Sequence, residues 1–264
     1  MNNLNYKKAN LLIDSMYRMS LGANKAMMLA LALAKKEKTR MVAQIKVADL
    51  IQALNYDDDV PRKRFYKRMQ SIAMELTNQK IIIEDNDRMF KIMNLIGVAS
   101  YKNGIIEVKF EPDVTEYIHN LKNNYTIFDI SILSNLSTAY SFRLYELLKS
   151  RAYSSKTSLC DCNTFYANFP LANIRLLLGC VNLSENERKK IFRNGSILTD
   201  EVNVKKDTTT DFMRHIIRPA VKEINEKTDL IVDFKMERNG VGGKCESILF
   251  TFSKKTEQNP VTNL

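Results

Sequence analysis

DFMRHIIRPAVKEINEKTDLIVDFKMERNGVGGKCESILFTF, residues 211–252, reads as a helix that runs into a β-hairpin. At about 100° per residue, Phe212, Met213, Ile216, Ala220 and Ile224 share one arc. Arg214, Arg218, Lys222 and Asn225 fall opposite, with His215 at the margin. Thr208, Thr209 and Thr210 precede the run and suit a helix cap or a phosphate contact. Pro219 breaks the pattern, because a proline inside a helix costs ~3 kcal/mol and kinks the axis; it predicts a bend or a later helix start. The strand runs, 230–237 and 247–252, flank a Gly-rich turn, RNGVGGK, that presents Arg238 and Lys244. That turn lacks the spacing of a phosphate-binding P-loop and lies between strands, so it reads as a hairpin tip.

An earlier stretch repeats the order. Pro61 opens a helix, RKRFYKRMQSIAMELTN, that ends near Asn78. Phe65, Met69, Ile72, Ala73 and Leu76 form its apolar arc, and Lys63, Arg64, Lys67, Gln70 and Ser71 face the other way. The apolar runs Ile81–Ile83 and Met89–Met93 flank acidic, Asn-containing residues and predict the following hairpin. FYKRMQSIAMELTN aligns loosely with FMRHIIRPAVKEIN, which suggests a duplicated unit.

Elsewhere, Ala9, Leu12, Ile13, Met16 and Met19 predict one helical face. Ser20 or Asn24 starts a helix carrying AMMLALALA, which is too short to span a membrane and reads as core. A strand at 41–47, a helix with Val47, Leu50, Ile51 and Leu54 inward, and a closing strand at 105–110 complete the first half. NLKNN, 120–124, reads as a linker; TIFDISILSNLS and AYSFRLYELLKSRAY resume helical patterning, LANIRLLLG ends at Gly179, and residues 182–210 read as a long loop or a short helix plus loop. Helices followed by a hairpin, twice, predict an α+β, mainly helical fold of two tandem winged-helix domains, 1–122 and 123–255, with a flexible tail 256–264.

The chain has 264 residues and 45% apolar content, enough for two ordinary cores. Forty Lys and Arg against 30 Asp and Glu give a net charge of +10, which favours polyanionic partners. A solvated basic surface is the plain alternative, but two features favour double-stranded DNA. Arg62, Lys63, Arg64, Lys67 and Arg68 crowd a helix N-terminus, where the helix dipole disfavours cations unless a phosphate is present. Each basic face also offers amide or hydroxyl groups of the kind that read base edges.

Four cysteines and no secretory signal predict free thiols in a reducing, cytoplasmic compartment. Cys160 and Cys162 lie far from both histidines, so no zinc site, metal or cofactor is expected, and idle thiols are the better reading. His215 has no neighbours in sequence that make a catalytic triad, and the chain lacks the His-x-His pair or acidic triad of a DNA-nicking enzyme. The expectation is a binding protein.

AYSFRLYELLKS (139–150) resembles the signature helix of theta-type, iteron-binding plasmid replication initiators. KANLLIDSMYRMSLGANKAMMLALALA resembles their N-terminal helical pair, and DFMRHIIRPAVKEINEKTDL their second-domain recognition helix, so the likeness spans residues 5–255. The resemblance implies binding of directly repeated origin DNA, origin opening and recruitment of host replication proteins. It also implies a dimer that represses its own promoter at an operator, in equilibrium with a monomer that initiates. It points to Arg214, His215 and Arg218 as base readers and leaves 182–210 least well matched. A winged-helix transcriptional repressor without a replication role is the alternative. Arg143, with Tyr145 and Glu146 on the signature helix, is expected to be a structural ion pair near the domain interface.

Overall fold

The computed structural model describes residues 4–15, 19–55, 62–86, 89–119, 121–154, 164–180, 208–240 and 243–255. Cys160, Cys162, Pro61, most of the 182–210 stretch and the tail 256–264 lie outside them. The chain opens with β1 (Asn5–Ala9), not with a helix, and α1 (Asn10–Ile13) is a single turn. β1 pairs antiparallel with β8 (Tyr125–Asp129), Asn5 opposite Asp129 and Ala9 opposite Tyr125. The expected helical face from Ala9 therefore begins only at Asn10, with Met16 outside the described residues, and the first four residues of TIFDISILSNLS, expected as helix, are strand. Each strand is five residues long and takes its conformation from a partner far away in the chain, which a local pattern does not reveal.

Beyond β1 and β8 the two halves follow one plan. The first runs α2 (Leu21–Leu33), β2 (Lys35–Glu37), β3 (Arg40–Lys46), α3 (Val47–Leu54), α4 (Arg62–Thr77), the ribbon β4 (Lys80–Asn86) and β5 (Met89–Asn94), then β6 (Ile96–Lys102) and β7 (Ile105–Phe110). A short 3-10 turn (Pro112–Val114) and α5 (Thr115–Ile118) follow. The second runs α6 (Ile130–Ser134), α7 (Ala139–Ser154), β9 (Thr164–Pro170) and α8 (Leu171–Leu177). It continues with α9 (Thr209–Phe212), a π-helical turn (Met213–Ile217), α10 (Arg218–Lys227), β10 (Leu230–Arg238) and β11 (Cys245–Lys254). The sheet order is β2-β3-β7-β6 in one half and β10-β11-β9 in the other, so each half places its last strand between its penultimate strand and an earlier one, β3 or β9. Helix, strand, two helices and a hairpin in this order form a winged helix, and the chain contains two. Among the described residues the β4–β5 ribbon pairs only with itself.

A shared device sets the recognition-type helix of each half against its first long helix. Ser20 caps α2 by accepting from the Ala23 N–H, and Glu75 of α4 accepts from the Ser20 N–H and, at 2.7 Å, from the Ser20 hydroxyl. In the second half Thr138 accepts from the Ser141 N–H at 3.0 Å. Glu223 of α10 accepts from the Ser137 N–H at 2.7 Å and the Thr138 hydroxyl at 3.4 Å. A carboxylate at a helix N-terminus also meets the positive end of the dipole.

One apolar cluster runs through both halves. The polar links beside it converge on α7. Arg143 donates to Glu146 at 2.8 Å and to the carbonyls of Ile13 and Ser15, Lys8 donates to Glu146 at 2.7 Å, and all three side chains are buried. Burial raises the Glu146 pKa most strongly, but Lys8 and Arg143 outweigh it and hold the carboxyl below the usual range. Tyr145 does not join this group; its hydroxyl donates to Asp229 at 2.6 Å and accepts from Lys149 at 2.7 Å. Arg143 is thus the expected structural pair, with Lys8 rather than Tyr145 as the third member. Among the described residues no helix is long and apolar enough to cross a membrane.

Candidate nucleic-acid interface

The second helix run starts at Thr209, and Thr208 is its cap, accepting from the Asp211 N–H at 3.1 Å. Thr209 and Thr210 therefore lie inside the first turn rather than before it. The chain does not break at Pro219. A π turn immediately before it absorbs one extra residue, and a widened turn leaves room where the proline ring meets the carbonyl four residues back in a regular helix. That extra residue shifts the helical phase. Ile217 is fully buried and Ile216 only half-buried, so the core face is Phe212, Met213, Ile217, Ala220, Val221 and Ile224.

Opposite this face Arg214, His215, Arg218 and Lys222 are all exposed. Arg214, His215 and Arg218 form no ion pair among the described residues, and Lys222 only a long one of 3.8 Å to Glu226. Asn225 leaves this set: its amide donates to the Val232 carbonyl at 2.9 Å and accepts from the Val232 N–H at 2.6 Å, acting as a strand partner for the free edge of β10. At the hairpin tip Arg238 and Lys244 are exposed, and Arg238 donates to the Gly243 carbonyl at 3.3 Å.

On α4, Met69, Ile72 and Leu76 are buried and Lys67, Gln70 and Ser71 exposed, as the helical phase predicts. The side chains of Lys63 and Arg64, in the first turn, lie outside the described residues. Sequence reasoning passed over two features of this surface. Met74, seven residues beyond Lys67 and hence on the same face, is 58% exposed; being apolar, it carries no signal of base reading in the sequence. Tyr66 makes an edge-on ring contact with Tyr101 of β6, with centroids 5.8 Å apart and both rings about half exposed, tying the helix to the neighbouring hairpin. Of the cysteines, Cys180 and Cys245 are half-buried and in no disulfide, and burial pushes the Cys245 thiol pKa up.

Residues 5–149 match the family described as Initiator Replication protein, WH1, and residues 198–252 match Initiator Rep protein, WH2. Among curated proteins the chain is similar to an uncharacterized 27.6 kDa protein of Escherichia coli, 24% identical over 272 residues, with 97% of this chain and 95% of that protein covered. Among solved structures it is similar to the Pi initiator protein in complex with iteron DNA, with a TM-score of 0.68 and 18% identity. That match covers 97% of this chain and 100% of the other.

Proposed function

The chain belongs to the replication initiator protein family, and from that premise we propose that it binds directly repeated plasmid-origin DNA through both winged helices. The observation that carries this reading is the helix run 209–227, which buries six apolar side chains on one side and turns Arg214, His215, Arg218 and Lys222 outward on the other. Forked guanidinium groups suit guanine edges, and the cations on α4 and at the hairpin tips suit phosphates. Residues 1–122 and 123–255 form the two DNA-reading units. The plan repeated from α2 and from α7 supports that division, although β1 of the first unit pairs with β8 of the second and the WH1 match runs on to residue 149. The protein acts in the cytoplasm by binding rather than catalysis. It opens the origin and recruits host replication proteins as a monomer, and represses its own promoter as a dimer.

Footprinting on the DNA flanking its gene tests the reading. Several protected direct repeats at helical-turn spacing are expected, whereas a single palindromic site indicates a simple repressor. Arg214→Ala is expected to weaken binding to a repeat by ~1–3 kcal/mol while leaving random duplex nearly unaffected. Equal loss on both makes Arg214 a phosphate contact, or irrelevant to reading the repeat. Lys67→Ala is expected to lower the slope of log K against log salt by about one unit.

A further inference from the structure

The first unit contains two hairpins after its recognition-type helix, and they compete for the role that β10–β11 fills in the second. The nearer in sequence, β4–β5, pairs with no other strand among the described residues. The farther, β6–β7, is built into the sheet as β10–β11 is: β7 pairs with β3 as β11 pairs with β9, and β6 and β10 are the outer strands. Its tip lies where β3 gives way to α3, with Lys46 opposite Ile105, just as Pro170, at the end of β9, lies opposite Ser247. Both tips read cation, Asn, Gly: Lys102–Asn103–Gly104 and Arg238–Asn239–Gly240.

From this equivalence we infer that β6–β7 is the wing of the first unit and that Lys102, with Lys46 beside it, contacts the phosphate backbone; the inference rests on the DNA-binding reading above. Asn103 (φ 51°) and Gly104 (φ 76°) are consecutive left-handed residues, the signature of a tight two-residue turn, so the tip is short and defined. It is braced on two sides. The Gly104 carbonyl accepts from the Val47 N–H at 2.9 Å at the start of α3, and the Tyr66–Tyr101 contact holds β6 to α4. Lys46 and Lys102 both lie opposite Ile105, in one row across three strands, and so project from the same face of the sheet. Both are exposed and neither is ion-paired among the described residues. The second wing reaches further, because Arg238 lies beyond the last row that includes β9.

The experiment measures binding of the full chain to a mixed-sequence duplex of about 30 base pairs across a salt series. Lys102→Ala is expected to lower the salt slope by about one unit and the Lys46→Ala/Lys102→Ala pair by about two, while Lys102→Arg keeps it. Lys36→Ala removes the same charge from β2, toward the other end of the sheet, and is expected to leave the slope unchanged. The inference is overturned if the Lys102 and Lys46 variants leave the slope intact while Lys67→Ala still lowers it, a result that spares the DNA-binding reading. Equal losses for Lys36→Ala and Lys102→Ala also overturn it, since net charge alone then explains the effect. No change in any of these variants, Lys67→Ala included, removes the DNA-binding reading itself.

Discussion

Glu223 ties α10 to the start of α7. It accepts from the Ser137 N–H and from Lys227, at 2.7 and 2.8 Å. Burial pushes its pKa up, yet the hydrogen bonds from Lys227, Ser141 and Ser137 outweigh that and bring it from 4.5 to about 2. A depressed carboxylate stabilises the fold above its unfolded value and ceases to do so as pH falls from 4.5 toward 2. Lys25, across the junction from the first unit, donates to the Ser134 carbonyl at 2.7 Å. Burial lowers its pKa from 10.5 to about 8, with the Glu223 carboxylate pulling it back up and Lys227 adding to the fall. The folded chain sheds that proton earlier than the unfolded chain, so stability rises with pH between about 8 and 10.5. Urea midpoints measured against pH test both signs. Glu223→Gln is expected to cost ~1–3 kcal/mol at neutral pH and to flatten the acid limb, and Lys25→Met to flatten the alkaline rise. Unchanged slopes in both variants identify these charges as effectively solvated.

At the scale of elements, the π turn brings two unequal helices into one register. Met69, Ile72, Glu75 and Leu76 of α4 have the same spacing as Ile217, Ala220, Glu223 and Ile224. Phe65 and Phe212 align only if the second helix holds one residue more, and the π turn is where it is held. A fixed 100° wheel cannot register such an insertion, which is why Ile216 was expected in the core where Ile217 stands. The long amphipathic helices and the β10–β11 hairpin were legible because their own periodicity decides their form. The strands at 5–9 and 125–129 were not, because their form is decided by each other. The cationic faces were legible for the same reason as the helices, whereas the first wing is recognised only through strand order. The register makes the Ser20–Glu75 clasp equivalent to the one at Thr138 and Glu223. Ser20→Ala and Glu75→Ala are each expected to cost about 1 kcal/mol. Because they remove one interaction, their double variant should fall short of the sum by at least ~0.5 kcal/mol in a thermodynamic cycle. Strict additivity rules out the clasp.

Across the whole molecule, the orientation of the two winged-helix units depends on what joins them, and the joints differ in kind. Arg151 and Asp14 form a two-point ion pair, 3.0 and 2.8 Å, but both side chains are about a third exposed, so solvent screens the pair. Lys8, Arg143 and Glu146 are almost fully enclosed, and Glu146 pairs with both cations. Neutralising it removes a carboxylate that two buried cations share, a loss on the order of 3–5 kcal/mol, whereas breaking the exposed pair costs under about 1 kcal/mol. Glu146→Gln is therefore expected to lower the urea midpoint far more than Arg151→Ala. The same group connects β1 and α1 to α7, so the two variants should also differ in cooperativity. The parent chain is expected to unfold in one transition, followed equally by far-UV circular dichroism and by the fluorescence of its 11 tyrosines, undisturbed by tryptophan. In Glu146→Gln the two signals should separate, as the halves lose their common lock, while in Arg151→Ala they should still coincide. If the signals coincide in Glu146→Gln as well, the shared apolar cluster alone couples the units, and the buried ion group sets only their angle.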